Sequence, residues 1–510
     1  MFFKERFFFF YLAFLLLSFF AVIVIMGNRL SPGYKLAWII LIMVFPVFGG
    51  TFYFLFSKDQ IKKKFLEDMQ QINEGMTQNL PMNTTVSDEL RAISKQAVGQ
   101  SDYISQHAHS PLYAGTPTKY YKLGEDKFED FLLKLKDAKR YIFLEYFIIG
   151  EGKMWNNMLE ILRQKADSGI DVRVIYDDFG CLLTLPSQYY EKLESYGIKC
   201  AIFNPIKPLL SLRMNNRNHR KMLIIDGEIA FTGGINIADE YINHIERFGH
   251  WKDTGIMVTG EAVWSFVVMF LTMWRYLKDE DIDFDAYRNV NPFVEKRQPV
   301  RKSAGLLGAF CDVDGDKPVT PFGAVLRSDG FVQPFADSPL DFENTSETVY
   351  LNLINQAVDY VWITTPYLIL DNMVASALSA AVKRGVEVKI LTPFKPDKWY
   401  VHAMTRANYR FLLEDGVRIF EYTPGFMHAK MIVVDDEYAV IGTVNLDYRS
   451  LYLHYECAVW LYRNSAISEI RGDILETLGQ SEEIMLEKYQ DTPLHMKALF
   501  AFLRIFAPLM

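Results

Sequence analysis

A pattern that occurs twice in one register constrains this chain more than any other feature. His219-Arg220-Lys221 is followed by Asp226, and His428-Ala429-Lys430 by Asp435, so both stretches read H-x-K-x-x-x-x-D. From 219 to 428 and from 226 to 435 the step is the same 209 residues, and at that step Gly233 meets Gly442 and Asn236 meets Asn445. At background composition a given His has roughly one chance in 300 of such Lys and Asp neighbours. Two hits among nine histidines, with a shared Gly and Asn downstream, mark a duplication. The chain is therefore expected to fold as two related halves, each bringing one half of a site.

The sequence around the motifs alternates between helix and strand patterns. Residues 128–138 have helical apolar spacing, 141–149 form a strand-like run, 154–166 are helical again and 172–176 read as a buried strand. The second half repeats this order with a strand at 360–364, a helix at 374–382 and a strand at 386–391. Strands alternating with helices imply α/β layers in which helices cover the sheet faces. The expected organisation is a membrane anchor over 1–57, a juxtamembrane connector over 58–118, and two α/β domains over 119–300 and 301–510. The Gly-, Pro- and charge-rich stretch 281–330 is the expected inter-domain connection.

The anchor rests on two apolar runs. Residues 7–26 contain only Ser18 as a clearly polar member, and 36–56 carry no charge. Each is long enough to cross about 30 Å of hydrocarbon as a helix. The first is too long for a signal peptide and lacks a small-residue cleavage site after it. Two transmembrane helices then flank a short loop. Lys4, Arg6, Lys58, Lys62, Lys63 and Lys64 fall on one side of such a hairpin against Arg29 and Lys35 on the other. The basic side should face the cytoplasm, and with it everything after residue 58. Cys181, Cys200, Cys311 and Cys457 have no metal or redox spacing, which fits reduced thiols. The net charge of −8 argues against a general nucleic-acid surface. The apolar, lightly basic stretch 494–510 is either a terminal helix docked on the core or an interfacial helix on the membrane.

The motif residues suit a phosphate. Residues 222–225 and 431–434 are short aliphatic runs, and Asp226-Gly227 is a hairpin signal, so each motif is expected on a strand that ends at its Asp. Positions i and i+2 of a strand share a face, which sets His219 beside Lys221 and His428 beside Lys430. Lys then supplies charge to the phosphate oxygens, and His acts as nucleophile or general acid. Asp226 and Asp435 complete the motifs, and their expected work is chiefly to tie the turns through backbone hydrogen bonds. Asn236 and Asn445 follow glycines that allow close backbone approach, and their amides can donate to a phosphate oxygen. Asp253 and Glu456 each lie about thirty residues past the His of their own half. They are candidates for the carboxylate that fixes an imidazole tautomer. His-x-Lys is poor ligand spacing and Lys repels a cation, so no metal and no cofactor are expected.

These residues resemble the phospholipase D superfamily, whose signature is the duplicated motif, and within it the bacterial cardiolipin synthases. The segments that carry the resemblance are Arg217-Asn218-His219-Arg220-Lys221, Gly233-Gly234-Ile235-Asn236-Ile237, Trp251-Lys252-Asp253-Thr254 and Thr365-Pro366-Tyr367. To these the second half adds His428-Ala429-Lys430 and Gly442-Thr443-Val444-Asn445-Leu446-Asp447-Tyr448-Arg449-Ser450. The resemblance implies two pseudo-symmetric domains, each a mixed sheet flanked by helices, after two transmembrane helices. It further implies phosphatidyl transfer between two phosphatidylglycerol molecules through a phosphohistidine, giving cardiolipin and glycerol, with His219 favoured as nucleophile. The implied partners are phosphatidylglycerol and cardiolipin in a bacterial cell membrane, with no nucleic acid and with homo-oligomerisation left open. A membrane-bound phospholipase D would use the same residues with water as acceptor. A superfamily nuclease is disfavoured by the acidic charge and the anchor, and an inert lipid-binding scaffold would need neither His-Lys pair. Three positions depart from the family pattern and bear on acceptor recognition. Gly255 stands where His is common, Leu370 where Pro is usual and His454 where Asn is usual.

Overall fold

The computed structural model describes residues 2–27, 32–56, 63–206, 216–289, 330–340 and 343–487. Each half builds a mixed sheet whose strands follow the same order. In the first half this is Thr118–Tyr121, Gly255–Thr259, Ile229–Gly233, Lys221–Ile225, Tyr141–Tyr146, Asp171–Asp177 and Lys199–Phe203. In the second, Phe331–Asp337, His454–Tyr462, Tyr438–Gly442, Met431–Val434, Tyr360–Thr364, Glu387–Pro393 and Arg418–Tyr422 take the equivalent places. Strands joined by crossover helices pair in parallel, as in Tyr141–Tyr146 with Asp171–Asp177, and those joined by tight hairpins pair antiparallel. At the first motif hairpin Asp226 and Gly227 have φ of 56° and 68°, and at the second Asp435 and Asp436 have 53° and 54°. Asp and Gly tolerate such values, and the turn matches the twist of the flanking strands.

The two sheets share a core. Helix Val263–Lys278 is apolar nearly all round because it is covered on both sides. Its Phe266, Phe270 and Trp274 pack in one cluster with Phe143 and Ile224 of the first sheet and with Trp362, Val433 and Val459 of the second. Phe143 and Phe270 stack with ring centroids 4.5 Å apart. Burying a Phe of this kind stabilises by about 1.5–3 kcal/mol.

Several expectations need correcting. The stretch 58–118 is not merely a connector. Helices Thr84–Ile93 and Lys95–His107 bury Val86, Leu90, Val98 and Ile104 against Phe331, Tyr350 and Trp460 of the second half. Strand Tyr113–Ala114 extends that half's sheet by pairing with Phe331 and Val332. The motif strands also begin later than expected. Lys221 opens its strand, while His219 and Arg220 lie in the irregular link from the short strand Arg217–Asn218. His428, Ala429 and Lys430 lie likewise between Gly425–Met427 and Met431–Val434. The body of the expected connection, 290–329, and the 494–510 stretch lie outside the described residues.

The second apolar run is not one helix. α1 (Phe2–Gly27) contains the one described helix long and apolar enough to cross a membrane. The second run is α2 (Pro32–Val44), a turn, and α3 (Gly49–Phe56). Proline lacks the N–H that would continue the helix at Pro46. Beyond it α3 folds back on α2, with the rings of Trp38 and Tyr53 5.4 Å apart. A continuous helix would separate these residues by about 22 Å. A Cβ on Gly49 would meet Ile42 Cα at 2.5 Å, so only glycine permits the approach. α3 also runs alongside α1, where Phe20 and Phe54 stack at 6.1 Å. Ser18 Oγ donates to Pro46 O at 2.6 Å and accepts from Gly50 N at 3.1 Å. The polar member of the first run thus satisfies backbone groups that the turn frees.

Candidate active site

Each motif histidine reaches its place on a short strand that joins the other half. Arg217–Asn218 pairs in parallel with His454–Tyr455, and His219 N donates to Tyr455 O at 2.9 Å. Gly425–Met427 pairs in parallel with His250–Lys252, and His428 N donates to Lys252 O at 2.7 Å. This exchange decides the carboxylate partners. His219 Nδ1 lies 2.9 and 3.0 Å from the two oxygens of Glu456, and His428 Nδ1 lies 2.6 Å from Asp253 Oδ2. The carboxylates expected from spacing within one half are both present, but each serves the histidine of the other half. With Nδ1 engaged, each ring keeps Nε2 for chemistry.

Glu456 is held from three sides. Ser450 Oγ donates to its Oε1 at 2.5 Å, Thr443 Oγ1 donates to its Oε2, and His219 takes the remaining direction. Ser450 and Thr443 lie in the segment that carried the resemblance, but nothing in their spacing signals this task. Lys221 Nζ donates to His219 O at 2.7 Å, and Lys430 Nζ donates to His428 O. Both ammonium groups are buried beside the imidazoles.

Burial governs the electrostatics. It lowers Lys221 to about 7 and Lys430 to about 8. His219 falls well below the usual imidazole range through burial, then Lys221, Lys430 and His428. His428 is lowered to about 4 by burial and Lys430, against the upward pull of Asp253. The two carboxylates differ. Burial raises Asp253, yet His428 and Lys430 outweigh it and hold the carboxyl below its usual range. Burial prevails at Glu456 and raises it despite His454 and Lys221. The crossed strand pairs and carboxylates bring both motifs to the seam between the halves, where the lysine of each motif also presses the histidine of the other toward neutrality.

The remaining expected residues divide by task. Asp226 accepts from the backbone N–H of Lys139, Arg140 and Tyr141 at 2.7–2.9 Å, and Asp435 from Val358, Asp359 and Tyr360 at 2.7–2.9 Å. Both motif carboxylates therefore face backbone, not imidazole. Asn236 accepts from Ile148 N at 3.1 Å and donates to Tyr241 OH at 2.7 Å. Tyr241 also packs on His428, with ring centroids 5.5 Å apart. Asn445 anchors its backbone N–H on Ser450 Oγ at 3.1 Å, and its side-chain Oδ1 is buried without a hydrogen-bond partner among the described residues. At the glycine where the family commonly has His, Lys127 fills the room. A Cβ on Gly255 would come within 2.6 Å of its Cδ, and its Nζ donates to Thr232 O at 2.9 Å. His219, His454 and Glu456 gather ligand-type atoms within 4.8 Å of one another, a grouping that motif spacing could not reveal. Lys221 adds positive charge beside it.

Residues 132–249 and 350–499, together over half of the chain, match the family described as cardiolipin synthase, PLD-like domain. Residues 16–58 match the family described as phospholipase D-nuclease N-terminal. The chain is 38% identical over 490 residues to an uncharacterized protein of Streptococcus mutans, covering 96% of this chain and 99% of that one. It is 32% identical over 497 residues to a cardiolipin synthase of Alkalihalophilus pseudofirmus, covering 96% and 92%. Among solved structures, the phosphatidylserine synthase of Haemophilus influenzae superposes with a TM-score of 0.58 at 15% identity, covering 81% of this chain and all of that one. This last likeness is one of fold.

Proposed function

The chain belongs to the cardiolipin synthase family of phospholipase D-like proteins, and from that premise we propose that it transfers a phosphatidyl group from one phosphatidylglycerol to another. Cardiolipin and glycerol are the products. The observation that carries the reading is the crossed pair His219–Glu456 and His428–Asp253, each histidine backed by a buried lysine.

The unequal carboxylates divide the labour. Asp253, held ionised, stabilises an imidazolium at His428 and suits it to proton transfer. His219 is neutral beside Glu456, with its Nε2 lone pair available for attack. In the first step His219 Nε2 bonds to phosphorus, the bond from phosphorus to the glycerol oxygen breaks, and protonated His428 gives its proton to that oxygen. In the second, His428 takes the proton from a hydroxyl of the incoming phosphatidylglycerol. That oxygen attacks phosphorus, and the N–P bond breaks to free His219. Lys221, Lys430, Asn236 and Asn445 stabilise the extra negative charge in both transition states. No step calls on a metal or an organic cofactor. The apolar α1 and the family's lipid substrates support a bacterial cell membrane as the location, with the catalytic halves on the cytoplasmic side.

Purified protein given phosphatidylglycerol vesicles should release glycerol and accumulate cardiolipin. Phosphatidic acid as the main product would instead identify a hydrolase that uses water as acceptor. His219→Ala and His428→Ala should each lower transfer by at least about 10⁴-fold, and near-normal activity in either would refute a shared site.

A further inference from the structure

His454 is the one active-site histidine that the transfer chemistry leaves without a task. It opens the strand His454–Tyr462, where it stands opposite Arg217, and sits two positions before Glu456 on the same strand face. Its ring centroid is 5.5 Å from that of His219. Its side chain is only 11% exposed, and Nδ1 lies 3.8 Å from Glu456 Oε1, too far for a hydrogen bond. Neither Nδ1 nor Nε2 has a hydrogen-bond partner among the described residues. Glu456 does not supply one at that distance, and Ser450, Thr443 and His219 already take up most of its acceptor directions.

Burial, His219, Arg449 and Lys221 all press His454 toward the neutral form, and Glu456 alone opposes them. A neutral imidazole offers one donor and one acceptor. An ionised phosphodiester only accepts, so it could satisfy one of the two nitrogens. A hydroxyl both donates and accepts, and could meet either. The unpartnered Oδ1 of Asn445, linked to Glu456 through Ser450, asks for a donor as well. Next to a phosphate at His219, the group that carries hydroxyls is the alcohol esterified to it.

We infer that His454 is a headgroup-recognition residue, which binds a free hydroxyl of the glycerol headgroup beside the phosphate that His219 attacks. The inference rests on the phosphatidyl-transfer reading and names its substrate contact. It also accounts for the departure from the usual Asn, because a carboxamide offers the same donor-and-acceptor pair in a different shape.

The test is an internal competition on the full-length protein. Trace phosphatidylglycerol and trace phosphatidylethanol, each labelled in the headgroup, are mixed into one population of unlabelled phosphatidylglycerol vesicles. Release of labelled glycerol over labelled ethanol then gives the ratio of the two kcat/KM values. A loss of fold or of general activity cancels from this ratio. His454→Ala and His454→Phe should each lower it about tenfold, the worth of one hydrogen bond to a substrate hydroxyl. His454→Asn should keep it within about threefold. An unchanged ratio in whichever of the Ala and Phe variants folds overturns the inference. Failure of the unsubstituted protein to release glycerol at all would count against the transfer reading itself.

Discussion

At the scale of single residues, the site is an arrangement of buried charges whose balance depends on pH. The kcat/KM profile reports groups in the free enzyme. Lys221 and Lys430, lowered by burial to about 7 and about 8, lose charge as pH rises through those values. Phosphate binding then weakens, so kcat/KM should fall more steeply from about pH 7 upward. His428, lowered to about 4, must carry a proton to act as the acid of the first step. kcat/KM should therefore keep rising as pH falls from 7 to about 5, and a profile flat over that range would reject His428 as the acid. Lys221→Arg keeps its charge at every accessible pH, which leaves Lys430, at about 8, as the lowest-titrating ammonium. It should move the alkaline limb upward even if the maximal rate drops, and an unmoved limb would assign that limb elsewhere. The motif aspartates belong to a different balance, that of folding. Asp226→Ala strands three backbone N–H groups and should cost about 3 kcal/mol, read as a lowered unfolding midpoint. Asp435→Ala should cost less, because the N–H groups of Val358 and Asp359 are exposed to water. The fraction of either variant that folds should keep a near-normal kcat.

At the scale of elements, the fold-back of α3 changes what the charges around the anchor mean. In a two-span hairpin Lys4, Arg6, Lys58, Lys62, Lys63 and Lys64 share a side against Arg29 and Lys35. With α1 as the single span and α2–α3 entering and leaving at one face, Arg29 and Lys35 join the lysines after 57, against Lys4 and Arg6. The bias is six to two in both cases, so the positive-inside rule cannot separate them. Helix direction can. α3 runs with α1 and returns the chain to the end where Lys35 Nζ donates to Met26 O. In a cysteine-free background, Asn28→Cys and Lys62→Cys should react with an impermeant maleimide from the same side, and Glu5→Cys from the other. Labelling of Asn28 opposite Lys62 would restore the two-span hairpin. The sequence could not disclose this fold-back, because hydropathy registers composition and not the direction of a helix after Pro46. Strands inside the sheets were legible for the converse reason. A run such as 360–364 is apolar and bounded, and packing left it nothing else to be. His219 and His428 were legible as residues but not as geometry. Their link segments leave the sheet to pair with the other half, a long-range contact that local pattern does not encode.

At the scale of the whole molecule, the crossed carboxylates bear on whether one chain suffices. Spacing alone suggested that Asp253 would serve His219 and Glu456 would serve His428, which would make each half self-sufficient and the duplication a mere doubling. In the fold the reverse pairing holds within one chain, and helix Val263–Lys278 seals the halves together through a shared core. Neither half can lose its carboxylate without disabling the other's imidazole. The same interlocking could arise between two chains if the halves were exchanged in a domain-swapped dimer. The two cases differ in what a mixture of variants can do. His219→Ala and His428→Ala chains, co-expressed so that any exchange can occur during folding, should stay as inactive together as apart if each site is built from one chain. A swapped dimer would assemble one site with both histidines intact and recover roughly a quarter of the normal activity. The strands that would have to be exchanged, Arg217–Asn218 and Gly425–Met427, are two and three residues long and pair deep in the shared interior. Their release would expose His219 and His428 together with the apolar cluster around Tyr455 and Met427. An exchanged dimer would only re-form these same pairs between chains, with no new contact to offset the entropy lost on association, so the mixture is expected to remain inactive whatever larger assembly the protein forms.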